Sequence, residues 1–149
     1  MLPPGYETSK DKYPTVYRAD GFGARFTTII NTERTHFGLM KSGATPPMIR
    51  VHLDHSSPWG THEFADSVNN GPWGKALTEE LIPALEKQYR MDAKPSGRFT
   101  TGHSSGGWYA SSDCKARCCT TAGTRPGVAP GALARIFPHR RILATINGA

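Results

Sequence analysis

The chain has 149 residues, 37% of them hydrophobic, with 16 glycines and 12 prolines. That length supports one domain with a real core rather than two, and the glycine and proline content predicts long loops. No apolar run approaches the roughly 18–20 residues that span a bilayer, and Met1-Leu2-Pro3-Pro4 lacks the charged and apolar regions of a secretory leader, so the expectation is a chain without membrane or targeting segments, cytoplasmic by default.

The net charge of +6 is unevenly placed. Residues 1–108 carry 12 basic and 11 acidic side chains, whereas 109–149 carry 6 basic ones and a single acid, Asp113. All three cysteines, Cys114, Cys118 and Cys119, lie in that second part as well. Such asymmetry marks either a basic tail that binds nucleic acid or anionic surfaces, or a stretch of different origin.

In chain order, Leu2-Pro3-Pro4-Gly5-Tyr6 reads as a turn. Residues 13–19, Tyr-Pro-Thr-Val-Tyr-Arg-Ala, predict the first strand, running into the loop Asp20-Gly21-Phe22-Gly23-Ala24. Ligands bind at such strand ends in open α/β sheets. Residues 26–40 predict a ragged helix, and 48–54 the second strand. Residues 55–70 form a long polar loop holding Trp59, His62, Phe64 and Asp66.

Residues 73–90 are the clearest helix. Leu77, Leu81, Leu85 and Tyr89 recur every four residues with Ile82 beside them, which predicts one apolar face. Pro83 removes a helix donor and predicts a kink. Residues 98–101 predict the third strand. Alternation of strands with helices or long crossovers points to βαβ units and a parallel sheet.

That third strand leads into Gly102-His103-Ser104-Ser105-Gly106-Gly107. Gly-x-Ser-x-Gly after a strand is the pattern of a nucleophile elbow, in which a serine sits in strained backbone at the strand-to-helix turn. Gly102 and Gly106 would let strand and helix pass without a Cβ clash. The competing reading is an ordinary helix start capped by Ser104 or Ser105.

Beyond Trp108 the pattern changes: the apolar stripe disappears, and residues 122–138 are dense in Gly, Pro and Arg. Only 141–146 could form a strand. The expectation is a truncated core over 1–108 followed by an atypical tail over 109–149, poorly ordered or read from a shifted frame.

Four stretches carry a family resemblance. They are Leu2-Pro3-Pro4-Gly5-Tyr6; Tyr13-Pro14 leading to Asp20-Gly21-Phe22-Gly23; Glu80-Leu81-Ile82-Pro83 with Tyr89-Arg90; and Gly102 to Gly107. Over residues 2–108 they resemble the "putative esterase" branch of the α/β-hydrolases, which includes enterochelin esterase-like proteins, S-formylglutathione hydrolases, feruloyl esterases and mycolyltransferases. The resemblance implies an α/β fold: a partial α/β-hydrolase with a small, mostly parallel sheet, flanking helices and an irregular C-terminal tail. It implies carboxylic-ester hydrolysis of a small-molecule ester through a Ser104 acyl-enzyme, with no cofactor. The backbone N–H groups of Phe22 and Ser105 would form the oxyanion hole.

The family places its acid and base on later loops, in the order Ser, acid, His. Here Asp113 and His139 satisfy that order formally, but Asp113 would lie on the helix that starts at the nucleophile, pointing away from the strand ends. His52, His55 and His62 have no standard zinc spacing and are expected to be solvated. The three cysteines lack a C-x-x-C pair and a fourth ligand, so no metal site is expected. His103 is expected to pack locally. Trp59, Phe64 and Trp73 either line an acyl or alcohol pocket or pack in the core.

Overall fold

A computed structural model describes residues 1–25, 29–111 and 142–145 of the chain. The central sheet starts with β1 (Thr15–Ala19), whose β-branched and aromatic residues are all buried. It pairs in parallel with β2 (Ile49–Leu53) on one side and β7 (Arg98–Gly102) on the other. A fourth strand, β8 (Ile142–Thr145), pairs antiparallel with β7, giving the order β2-β1-β7-β8. The sheet is therefore mostly parallel, as the alternating sequence pattern predicts.

Helices cover both faces because strand side chains alternate. Tyr17, Ala19 and Leu53 form one cluster with Leu77 and Ile82 from the helical stretch 73–88 and with Tyr109 and Ala110 from α4 (Ser105–Ser111). Val16 instead packs with Met48 and with Met40 of α1 (Ile30–Lys41). The expected helix over 26–40 thus runs 30–41, and residues 26–28 lie outside the described residues. Tyr13 stands outside β1 and makes an isolated parallel bridge to Met91.

The expected loop over 55–70 is structured. It holds two short antiparallel ladders, β3 (Ser56–Ser57) with β4 (Gly60–Thr61), and β5 (Asp66–Ser67) with β6 (Gly71–Pro72). Asp66 then accepts the Lys75 N–H, 3.1 Å away, satisfying a donor at the start of α2 (Trp73–Lys75).

The 73–88 stretch departs from the four-residue pattern. Between α2 and α3 (Ile82–Gln88) it winds as a wider π-type segment, Ala76–Leu81. Pro83, which has no N–H to donate, follows directly on that wider segment. The wider segment rotates the apolar stripe. Leu77 and Ile82, five residues apart, are buried, whereas Leu81 is 40% exposed. The expected Leu77–Leu81 pairing fails for that reason.

A charged tether fastens α1 to β2. Arg50 Nε lies 3.0 Å from both Glu33 carboxylate oxygens, and His52 Nε2 is 2.7 Å from Glu33 Oε1. Burial alone would raise the Glu33 pKa, but the hydrogen bonds from His52 and Arg50 outweigh it and hold the carboxyl at about 2, below its ordinary 4.5. Its folded pKa being depressed, this stabilisation is complete above about pH 4.5 and fades as the pH falls toward 2. Glu33→Gln should destabilise the fold by about 3 kcal/mol at pH 7, because Arg50 stays buried without its carboxylate. The deficit should shrink below pH 4; urea melts across pH 3–7 measure it, and a deficit independent of pH would rule the tether out.

Candidate active site

The parallel strands β1 and β7 end side by side, with Ala19 opposite Gly102. The chain leaves β7 through His103 and Ser104 and enters α4 at Ser105. Ser104 has φ of 54°, one of three non-glycine residues in the left-handed region among the described residues. Its side chain is exposed above the strand ends. Ser104 forms the turn itself, bracketed by hydrogen bonds from Gly106 N–H to His103 O (3.0 Å) and from Gly107 N–H to Ser104 O (2.9 Å).

Glycine is required on both sides of the turn. A Cβ on Gly102 would lie 1.9 Å from the Gly106 carbonyl oxygen, and one on Gly106 would lie 2.2 Å from Ala19 O. Both obstructions are backbone, so neither can swing aside. The start of α4 therefore lies directly against the ends of β1 and β7.

The Asp20–Ala24 loop meets the same turn. The Cβ position of Gly21 is 3.1 Å from Ser104 Cβ, and His103 N–H donates to Ala19 O at 3.3 Å. Asp20 folds back onto the buried Arg18 of its own strand, Arg18 Nε lying 3.2 Å from Asp20 Oδ2, which anchors the start of the loop. Among the described residues the N–H groups of Phe22 and Ser105 donate to no acceptor. The Asp20–Ala24 loop and the turn into α4 thus meet at Ser104.

The other expected residues fall elsewhere. His55 and His62 are buried rather than solvated. His55 Nδ1 is 3.0 Å from Glu63 Oε2, and the other Glu63 oxygen accepts the Thr61 hydroxyl. His62 stacks on Trp73 with ring centroids 4.1 Å apart and accepts the Phe64 N–H at Nδ1. Burial, with His55 close by, lowers the His62 pKa below its ordinary value. His52 serves the Glu33 tether. Among the described residues no three His, Cys, Asp or Glu side chains form a group that could hold a metal ion. His103 is exposed, with its ring 3.7 Å from the Gly21 Cβ position. Phe64 is in the core, Trp73 is 40% exposed and Trp59 is 88% exposed. Asp113, His139 and the three cysteines lie outside the described residues. So does most of the expected 109–149 tail, although α4 continues past 108 to Ser111 and a strand forms at 142–145. Glu63 was not singled out in the sequence, where nothing distinguishes it from other loop carboxylates.

Two apolar grooves, of about 690 and 610 Å³, flank β2 rather than Ser104, and both are lined by Val51, His52 and Leu85. No helix of the described residues is long and apolar enough to cross a membrane.

A mostly parallel sheet, helices on both faces and a serine in left-handed backbone between strand and helix define an α/β protein. The family model described as "Putative esterase" matches residues 1–110, and the chain belongs to that family. An uncharacterized protein of Bacillus subtilis (strain 168), YbbA, is 26% identical over 117 residues, covering 71% of this chain and 45% of its own. A ferulic acid esterase of known structure superposes with a TM-score of 0.65 at 24% identity, covering 73% of this chain and 44% of its own, a likeness of fold. The chain spans under half the length of either relative.

Substitution tests the turn directly. Gly102→Ala and Gly106→Ala should each lower the melting temperature by more than about 10 °C, or prevent folding, from the backbone overlap. Gly38→Ala, on the exposed face of α1 with nothing within 4 Å, should stabilise by about 0.5–1 kcal/mol. Circular-dichroism melts of the three variants make the comparison.

Proposed function

We propose that this chain carries the nucleophile and oxyanion hole of a carboxylic-ester hydrolase that works through a Ser104 acyl-enzyme. The observation that carries this reading is the left-handed Ser104 backbone packed against Gly21 at the turn between β7 and α4, and the reading assigns the Phe22 and Ser105 N–H groups as the oxyanion donors. Membership of an esterase family and the resemblance in fold to a ferulic acid esterase support it.

In this reading Ser104 Oγ attacks the ester carbonyl carbon and loses its proton to a base. The carbonyl oxygen becomes an oxyanion held by the two N–H groups, and one such donor is worth roughly 3–4 kcal/mol of barrier. Collapse expels the alcohol, which takes up the proton, and leaves the acyl group on Ser104. Water then attacks the acyl carbon by the same route and releases the acid. Substrates are small-molecule esters, and no cofactor takes part.

The described residues place no base on Ser104. Among the described residues no histidine is hydrogen-bonded to Ser104: His55 is held by Glu63, His62 lies against Trp73, and His52 faces Glu33. General-base catalysis contributes typically 10²–10⁴-fold. In this reading the chain by itself is an impaired hydrolase. A fluorophosphonate probe should label it at Ser104, at a rate at least about 100-fold below that of an esterase with a complete Ser-His-acid triad. Ser104→Ala should abolish labelling. Labelling that survives Ser104→Ala would refute the nucleophile assignment, and labelling as fast as the complete enzyme would refute the impairment.

A further inference from the structure

We propose that Arg18 is a positioning residue: by holding the Asp20 carboxylate against β1 it fixes where the chain turns at Gly21, and so sets that loop against Ser104. The inference rests on the hydrolase reading for what the contact does in a reaction. The pair itself rests on separate observations.

Arg18 is 3% exposed, near the end of β1. Its Nε lies 3.2 Å from Asp20 Oδ2, and its Nη2 bonds the other carboxylate oxygen. Two N–H···O bonds from one planar guanidinium fix a carboxylate in direction as well as distance. Residues two apart on a strand share a face, so the pair keeps Asp20 in line with β1 for one residue beyond Ala19. The chain then turns. Ala24 N–H donates to Gly21 O at 3.0 Å, and Gly23 within that turn has φ of 74°. The backbone at the start of the turn already touches the serine. Asp20 O lies 2.4 Å from where a Gly106 Cβ would stand, and the Gly21 Cβ position is 3.1 Å from Ser104 Cβ. A residue with a Cβ would be crowded there, so the turn must begin where Gly21 meets the serine.

Stability accounts poorly for such a pair. Apolar residues of similar size serve a buried position as well as an ion pair does, or better. Arg18 also stands among charges that select its partner. Its register neighbour on β2 is His52, and the charges of Arg18 and Asp20 act on Arg50 in opposite senses. Arg50 is joined to Glu33, as His52 is, which leaves the Asp20 carboxylate to Arg18. What the buried guanidinium adds over an apolar side chain is the direction it imposes on the first residue of the loop.

The test is the rate of fluorophosphonate labelling of the full chain, taken per folded molecule, with the folded fraction from circular dichroism under the same conditions. In that reaction Ser104 Oγ bonds to phosphorus, fluoride leaves, the serine proton passes to water, and the phosphoryl oxygen stands in for the oxyanion. Asp20→Asn keeps the side-chain shape and removes its charge; Arg18→Leu removes the cation. Each should slow labelling about 10- to 100-fold, approaching the cost of an oxyanion donor lost outright. A merely structural pair would change the folded fraction and leave the rate per folded molecule alone. Arg18→Lys, which keeps the cation, should lose less than Arg18→Leu. The double variant should be no slower than the slower single one, because both break one pair. An unchanged rate in Asp20→Asn, or losses that multiply in the double variant, would overturn the proposal. Backbone amide NMR keeps the two readings apart, since the Gly21 and Ser104 signals should move in Asp20→Asn whether or not the probe reacts. Moved signals in a chain that is never labelled keep the positioning pair and remove the hydrolase. Full-rate labelling of Asp20→Asn with those signals unmoved removes the pair and leaves the nucleophile.

Discussion

Everything around Ser104 depends on how closely one helix start can approach two strand ends. Gly106 lies on the carbonyls of Ala19 and Asp20, and Gly102 lies on Gly106 itself. These are backbone-on-backbone contacts, which only residues without a Cβ permit. The approach compresses the connection between β7 and α4 into two residues, and the second of them, Ser104, takes up the left-handed geometry. Strain is tolerated there because the surrounding backbone over-determines it, with Tyr109 and Ala110 of α4 buried in the same core as Tyr17 and Ala19 of β1.

Charge performs the same anchoring on the sheet. Two of the most buried side chains of the described residues are arginines, Arg18 at 3% and Arg50 at 1% exposure. Each is joined to a carboxylate: Arg18 to Asp20, at the root of the loop that reaches Ser104, and Arg50 to Glu33, on the helix that covers the sheet. Buried cations of this kind are tolerated only when so matched. The carbonyl and N–H of Arg50 also exchange hydrogen bonds with Met1, at 2.7 and 3.0 Å, so the first residue of the chain pairs antiparallel on the outer side of β2. The grooves beside β2 open next to that pairing and belong to the sheet edge rather than to the serine.

The segment after β2 has a different economy. It contains two ladders of two residues each, too short to hold themselves. Their stability comes from side chains: the His55–Glu63–Thr61 clamp, the His62–Trp73 stack, and Asp66 bonded to the start of α2. Gly74 completes the junction, since a Cβ there would lie 2.9 Å from Phe64 O. His55 and His62, which the sequence suggests as solvated loop residues, are thus buried structural parts of this segment.

The amino-acid sequence alone determined the three parallel strands, the Gly-x-Ser-x-Gly turn and the family. Runs such as Thr-Val-Tyr and the Gly-x-Ser-x-Gly spacing state backbone requirements that can be read from the residues themselves. Other features were decided only when distant segments met. The wide turn at Ala76–Leu81 set Leu77 and Ile82 against Tyr17 and Leu53 of the sheet and left Leu81 40% exposed. Glu63 gained its role from His55 and Thr61, and the Phe22 ring found Gly60 from 38 positions away in the chain. Spacing along a chain encodes conformation; burial and partnership depend on which surfaces approach, and that is a property of the assembled fold.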